Sequence, residues 1–278
     1  MADDALLASI LEWGWPSYQS VLVKRYQQGG ALSVEDCVAE EVPIVLMYNG
    51  VSHVVMLATP AHLDDFALGF SLTEGIIANT TQLSSVKIYQ HASGVEVQLK
   101  IDDDCFQQLA SKGRNLTGRT GCGLCGASTL KQAIKHPRFV QGHVNITPQQ
   151  LTDALSVLPT QQKLNQLTGA IHAVAWVTPS AGIVELREDV GRHNALDKLI
   201  GALLKRDIDF SEGLILTTSR ASYEMVQKAT AVGVSMLVAI SAPTALAIRL
   251  AQESGLTLIG FARDGSCVIY SHPQRFIE

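Results

Sequence analysis

The sequence predicts an α/β protein, α+β overall, in which a smaller β-rich N-terminal lobe precedes a larger lobe of alternating helices and strands. Three observations predict it. Two β-rich runs meet at Asn49-Gly50, a dipeptide that tolerates positive φ at both centres of a tight hairpin turn. From Thr147 onward, short apolar runs alternate with stretches of helical period. Finally, 47% of the 278 residues are hydrophobic, ample for one large core or two modest ones.

The first 40 residues show no clear period and read as a variable peripheral arm, 1–40. "VPIVLMYNG" and "VSHVVMLAT" are the two runs of the hairpin. Thr59-Pro60 reads as the start of a helix whose Leu63, Phe66, Ala67 and Phe70 share a face. "SVKIYQ" and "VEVQLKI" give a second strand pair, so this half reads β-β-α-β-β, and a helix is expected over Asp103 to Lys112. A polar connector with His136-Pro137 and Gly142 sets the boundary between lobes of 41–143 and 144–278.

Beyond the connector, Thr147-Pro148 opens a helix, and "AIHAVAWVT" and "GIVELRE" are strands. The helix after Arg192 has Leu196, Leu199, Ile200, Leu203 and Leu204 at helical spacing, a face for packing on a sheet. "GLILTTS", "SMLVAI" and "LTLIGFA" are short strands with helices between them, which implies right-handed crossovers and a largely parallel sheet. The uncharged stretch "ATAVGVSMLVAISAPTALAI" is long enough to cross a membrane. It reads instead as a buried strand over Ser235 to Ile240, then a helix with Ser241 as polar cap and Pro243 as rigid first position.

Charge narrows the function classes. With 21 basic and 26 acidic residues the net charge is -5, and no Lys/Arg run makes a nucleic-acid footprint. "MADDALLASILEWGW" places aspartates where a secretory signal carries positive charge, so a cytoplasmic protein without a membrane partner is expected. The five cysteines, Cys37, Cys105, Cys122, Cys125 and Cys267, are an odd number in such a chain, and reduced thiols are expected rather than a disulfide framework.

In a sheet of this kind ligands collect at the carboxyl ends of strands, where helix N-termini offer free N–H groups. Three junctions suit that: Glu188 to Asn194, with Arg192 and His193; Thr217 to Ser222, with Thr218, Ser219 and Arg220; and "SAPT". Hydroxyls and arginines there suit a phosphate or a sugar, and plain helix capping is the other reading of each. A fourth stretch, Gly260 to Ser266, joins the last two strands. Phe261 there is able to stack on a purine and Arg263 to pair with a phosphate, while a turn in which Asp264-Gly265 serves only the backbone is the alternative. His172 reads as a half-buried strand histidine, His53 as another, and His193 stays open between ligand contact and structure. Cys37, Cys105 and Cys267 read as packing residues.

The stretch "GRNLTGRTGCGLCGAST" sets Cys122 and Cys125 among glycines and beside Arg114 and Arg119. A thiolate is the nucleophile, the arginines favour it, and the glycines let the loop reach into another protein's site. A closed zinc site needs four ligands, and there is no second C-x-x-C and no H-x₃₋₅-H pair, so Cys105, Cys267 or histidines would have to complete it through space. A thioredoxin-like dithiol begins a helix directly after a strand, and here a Gly-rich loop precedes it. Iron–sulfur ligation lacks the cysteine count. What remains is a mobile thiol that accepts and passes on a group, with the second cysteine as helper.

From about Ala39 to the C-terminus the chain resembles the formate dehydrogenase accessory sulfurtransferase family, FdhD. The resemblance rests on "EEVPIVLMYNGVSHVVMLATP", "FALGFSLTEGII", "GRTGCGLCG", "LTGAIHAVAW", "EDVGRHNALDKLIG", "TSRASYEMVQKA" and "YSHPQR". It implies a sulfur carrier that takes persulfide sulfur from a cysteine desulfurase. The sulfur passes to the Mo-bis(molybdopterin guanine dinucleotide) cofactor, a bound client, before that cofactor enters formate dehydrogenase. The family's persulfide cysteine falls on Cys122 and the second cysteine of its motif on Cys125, and its cofactor contacts include Phe261, Ala262, Arg263, Asp264, Gly265 and Ser266. A homodimer and a larger lobe similar to the three-layer cytidine deaminase fold are also implied. The deaminase zinc signature H-x-E followed by P-C-x-x-C is missing, since His172 is followed by Ala173 and Val174 and the C-x-x-C precedes it, so no resident metal is expected. The rival from another class is a cofactor-binding chaperone that shields the cofactor without transferring sulfur, and a zinc hydrolase or deaminase is the third reading.

Overall fold

The computed structural model describes residues 14–111 and 138–277. Among the described residues there are twelve strands in three sheets and seven α-helices. The first sheet is a hairpin of β1 (Tyr18–Gln27) and β2 (Gly30–Ala39), turning at Gly29-Gly30, both at positive φ. Among its described residues, the stretch read as a variable peripheral arm thus holds a hairpin that the missing sequence period did not announce. Leu22, Tyr26 and Leu32 stay largely exposed on it, so the period-2 burial that marks a strand in sequence is weak.

The second sheet has the order β4-β3-β6-β5 and comprises β3 (Val42–Tyr48), β4 (Val51–Ala58), β5 (Leu83–His91) and β6 (Gly94–Ile101). The β3–β4 hairpin turns at Asn49 and Gly50, at φ 48° and 83°. The Asn49 side chain extends the ladder, donating to the Ile101 carbonyl at 3.0 Å and accepting from the Ile101 N–H at 2.9 Å. Val42, Ile44, Leu46 and Tyr48 of β3 alternate inward onto α1 (Leu63–Thr73), and α2 (Asp103–Ser111) adds the buried Cys105 to the same core.

The third sheet has the order β12-β11-β10-β9-β7-β8. Its strands are β7 (His172–Thr178), β8 (Gly182–Asp189), β9 (Leu214–Thr217), β10 (Met236–Ala239), β11 (Thr257–Arg263) and β12 (Ser266–Ser271). It is mixed, not largely parallel: β9, β10 and β11 are parallel, while β7 pairs antiparallel with both its neighbours and β12 antiparallel with β11. The physical reason is loop length, since the short connections β7–β8 and β11–β12 cannot carry the chain back for a parallel crossover. α5 (Arg192–Lys205), α6 (Tyr223–Ala231) and α7 (Ala245–Ser254) cover one face, and α3 (Pro148–Gln161) covers the other. α3 starts with a capping box of Thr147 and Gln150 and is followed by α4 (Lys163–Thr168).

The two lobes meet where α1 crosses α5. A Cβ on Gly69 would fall 1.8 Å from the Asp197 carbonyl oxygen, and one on Gly201 would fall 1.9 Å from that of Asp65, so the backbones touch. Polar groups fill the rest of this seam. Asp189, fully buried, receives the Lys198 ammonium at 2.6 Å and the N–H of Thr59 at 3.1 Å and of Gly191 at 2.7 Å. Lys228 donates to Asp197 at 2.9 Å, to Glu74 at 2.8 Å and to Thr73 Oγ1 at 3.0 Å. Burial opposes charge on Lys228, but the carboxylates of Asp197 and Glu74 outweigh it and hold the ammonium above its ordinary range.

Two helices start later than the sequence places them, the first because of the seam. The Thr59 N–H, carbonyl and hydroxyl bind Asp189, Lys198 and the Val190 N–H, so the chain leaves β4 without capping a helix. α1 begins only at Leu63, after His62 at φ 53°. Likewise α7 begins at Ala245, capped by Thr244, because Ser241 and Pro243 are engaged by neighbouring loops.

Candidate functional site: a shelf at the strand ends

Since β7 opposes β8 and β9, the carboxyl ends of β8, β9, β10 and β11 share one edge with the start of β7. The helices α5, α6 and α7 follow β8, β9 and β10 there, so their N-termini face the same side. Backbone bonds tie the loops into a continuous shelf: the Thr244 N–H donates to the Ala221 carbonyl at 3.0 Å and the Phe261 N–H to that of Ser241 at 3.2 Å. Arg220 and Ser241 to Thr244 therefore lie on adjacent loops, with Phe261 beside them near the end of β11.

Phe261 has φ 50° and is 39% exposed. A bulky residue in the left-handed region costs about 1–3 kcal/mol, and such strain concentrates at functional positions. It sits at an irregularity of the β11–β12 pairing between Gly260 and Arg263. Arg263, Asp264, Gly265 and Ser266 are exposed beyond it, with Asp264 and Gly265 both at positive φ, as a two-residue hairpin turn requires. Ala262 points the other way and is buried in the core under α3.

In the junction from Thr217 to Ser222, Arg220 is the exposed residue. The Thr218 hydroxyl accepts from the Ala173 N–H at 2.9 Å, and the buried Ser219 hydroxyl donates to the Arg220 carbonyl at 3.0 Å, so both close the end of the strand. Glu188, in the first junction, accepts the Leu164 and Asn165 N–H groups at the start of α4, at 2.9 and 2.8 Å.

At the α5 N-terminus, His193 is 6% exposed, and its Nε2 lies 2.5 Å from Glu224 Oε2 and 3.4 Å from the Ser222 hydroxyl. Arg192 Nε and Glu224 Oε1 are buried without a hydrogen-bond partner. His172, at the head of β7, is pushed down by burial, then by the neighbouring Arg192, His193 and Arg220, against Asp189. The shelf thus sets Arg192 and Arg220 beside unspent polar groups.

Cys122 and Cys125, with Arg114 and Arg119, lie outside the described residues. Cys37, Cys105 and Cys267 are unpaired thiols. Burial raises Cys105, aided by Asp102 and Asp104, and burial raises Cys267 too, which disfavours the reactive thiolate at both. Among the described residues no group of three or more His, Cys, Asp or Glu side chains is placed to hold a metal, and no helix is long and apolar enough to cross a membrane.

The profile of the FdhD/NarQ family matches residues 39–277. The chain belongs to that family. It is 49% identical over 260 residues to the sulfur carrier protein FdhD of Cupriavidus necator, covering 94% of this chain and 90% of that one. Against the protein of the same name from Bordetella bronchiseptica the identity is 46% over 264 residues, covering 94% and 95%. The fold is that of a crystal structure from Desulfotalea psychrophila, named as a candidate formate dehydrogenase accessory protein. The TM-score is 0.76 at 19% identity, covering 94% of this chain and all of that one. Family membership gives the shelf its context, because "EDVGRHNALDKLIG" and "TSRASYEMVQKA" turn out to build both the seam and the shelf. The sequence reading placed Asp189, Arg192, His193 and Arg220 in candidate junctions, took Thr59 as a helix start, and missed Glu224 and Lys198. A signal for the seam was present: Asn194, Asp197, Lys198 and Gly201 recur at helical spacing on the side of α5 away from its leucines.

Proposed function

We propose that the chain is a sulfur carrier for formate dehydrogenase maturation, working through a Cys122 persulfide. It takes its sulfur from a cysteine desulfurase. The observation that carries the reading is the shelf, where Arg220 and a strained, exposed Phe261 stand on tied neighbouring loops beside Arg192 and His193. An aromatic face and guanidinium groups suit the guanine and diphosphate of a guanine dinucleotide, and relatives nearly half identical are named sulfur carriers. The client is the Mo-bis(molybdopterin guanine dinucleotide) cofactor, which acts as substrate rather than resident group, and the receiving partner is the formate dehydrogenase catalytic subunit. The active assembly is a homodimer in the cytoplasm.

Chemically, the Cys122 thiolate attacks the outer sulfur of the donor's persulfide; the donor S–S bond breaks, the donor leaves as thiolate, and Cys122 carries the persulfide. Attack by the Cys125 thiolate on the inner sulfur then releases the outer sulfur as sulfide for the metal. The two cysteines are oxidised to a disulfide as that sulfur is reduced, and a cellular thiol reductant resets the pair. Incubation with desulfurase and cysteine, followed by peptide mass spectrometry, is expected to show one added sulfur at Cys122. A Cys122→Ala variant is expected to lose both that sulfur and the ability to restore formate dehydrogenase in cells lacking their own carrier. Restoration by the variant would remove the sulfur-carrying role and leave a cofactor-shielding chaperone.

A further inference from the structure

Large apolar side chains left in water gather on the N-terminal part of the chain, on two surfaces away from the shelf. The first is the β1–β2 hairpin. Its strands are ten residues each, yet they form a sheet of only two, and two strands alone are marginal in water. One side of the hairpin half-buries Val21, Val23 and Val34, and β2 lies against α4. The other side sets Leu22 opposite Glu35, Lys24 opposite Ser33 and Tyr26 opposite Ala31, and there Leu22 is 76% and Tyr26 85% exposed.

The second surface is the outer side of the β4-β3-β6-β5 sheet. Its inner side packs on α1, so strand alternation turns Pro43, Val45 and Met47 of β3 outward. The register sets Leu57 and Val55 of β4 beside them and, across Glu96 of β6, Tyr89 of β5. Val55, Leu57 and Tyr89 are 39%, 45% and 44% exposed. A contiguous apolar patch of this kind marks a contact surface.

Within one chain neither surface covers the other, since both are bare. Between two copies related by a twofold axis, the hairpin of each is able to lie on the sheet of the other, and the contact then forms twice. The size suits a stable pair: with about 3.4 Å per residue and 4.8 Å between strands, one side of the hairpin presents about 300 Å², and two such contacts counted on both chains bury about 1,200 Å². The charges suit it as well. The bare side of the hairpin carries Glu35 and Lys24, and the outer side of the sheet carries Lys87, Lys100 and Glu96. Glu35, Lys87 and Lys100 are exposed and, among the described residues, without an ion-pair partner.

We propose that the β1–β2 hairpin of each chain docks through Leu22, Tyr26 and Glu35 onto the outer sheet face of a second copy. The inference rests on the homodimer of the reading above and assigns where its two chains meet. Tyr26 is the anchor, an aromatic ring of the kind that carries most of the energy of an interface.

Sedimentation equilibrium of the full-length protein tests it, with the wild type expected to be a dimer at micromolar concentration. Tyr26→Asp and Leu57→Asp alter the two sides of the contact, and each is expected to weaken the dimer at least about thirtyfold. Circular dichroism is expected to stay unchanged, because both side chains are exposed. Val157→Asp on α3, where the valine is 43% exposed, is expected to leave the dimer as it is. Glu35→Lys is expected to weaken the dimer about tenfold, and Lys87→Glu with Lys100→Glu in the same chain to bring it back within about threefold, since opposite charges then meet again across the interface. A dimer that tolerates Tyr26→Asp and Leu57→Asp, that Val157→Asp breaks equally, or that the charge reversal does not restore overturns the hairpin-on-sheet contact and leaves the homodimer standing. A wild-type protein that sediments as a monomer overturns both.

Discussion

Helix α5 borders two polar clusters, and they are finished to different degrees. On the seam, Asp189, Lys198, Asp197 and Lys228 are buried and each is bonded to an opposite charge, with only Asn194 Oδ1 left over. At the shelf, Arg192 Nε and Glu224 Oε1 are buried with nothing to bond, and Phe261 is held in a backbone conformation it disfavours. The seam is complete within one chain and welds the lobes. The shelf is not complete, and the groups it leaves open are those that a sugar phosphate is able to satisfy.

That contrast predicts opposite responses to mutation. The largest effect is expected from Lys198→Met, which leaves the Asp189 carboxylate buried without its cation and costs about 3–5 kcal/mol. Urea unfolding followed by circular dichroism measures it, and a loss under 1 kcal/mol would place Asp189 in contact with water. Gly201→Ala comes next, at about 1–3 kcal/mol, because the added methyl meets the Asp65 carbonyl, which is backbone and has no rotamer to escape to. An unchanged midpoint would mean that α1 and α5 slide apart without penalty. The smallest effect on stability has the reverse sign: Phe261→Gly relieves the left-handed strain and is expected to raise stability by up to about 1 kcal/mol while weakening GDP binding at least tenfold. Lower stability in that variant would assign Phe261 to the packing of the fold and erase the contrast.

How far the sequence was legible follows the same division. The Asn49-Gly50 hairpin, the helix start at Thr147-Pro148 and the leucine face of α5 are each written within a few residues, and each is where the sequence puts it. The β1–β2 hairpin was missed although Gly29-Gly30 marks its turn, because its exposed Leu22, Tyr26 and Leu32 hide the alternation that a half-buried sheet imposes. Thr59 looked like a helix start because a threonine before a proline is one locally; a carboxylate 130 residues away claims its N–H instead. Thr218 and Ser219, read as ligand hydroxyls, also make bonds that close a strand end, which no local pattern announces.

By itself the sequence determined the α/β plan, the Cys122–Cys125 motif and which junctions carry arginines and hydroxyls. Turn geometry, capping and hydrophobic period act over a few residues, so they can be read from a few residues. Only the tertiary structure decided which of those groups are spent and which stay open. That depends on the sheet order, which puts the ends of β8 and β9 on either side of β7 and so brings His193 onto Glu224, and on the α1–α5 crossing, which removes Lys198 from solvent. Contacts of that kind join residues distant along the chain, and no local preference records them.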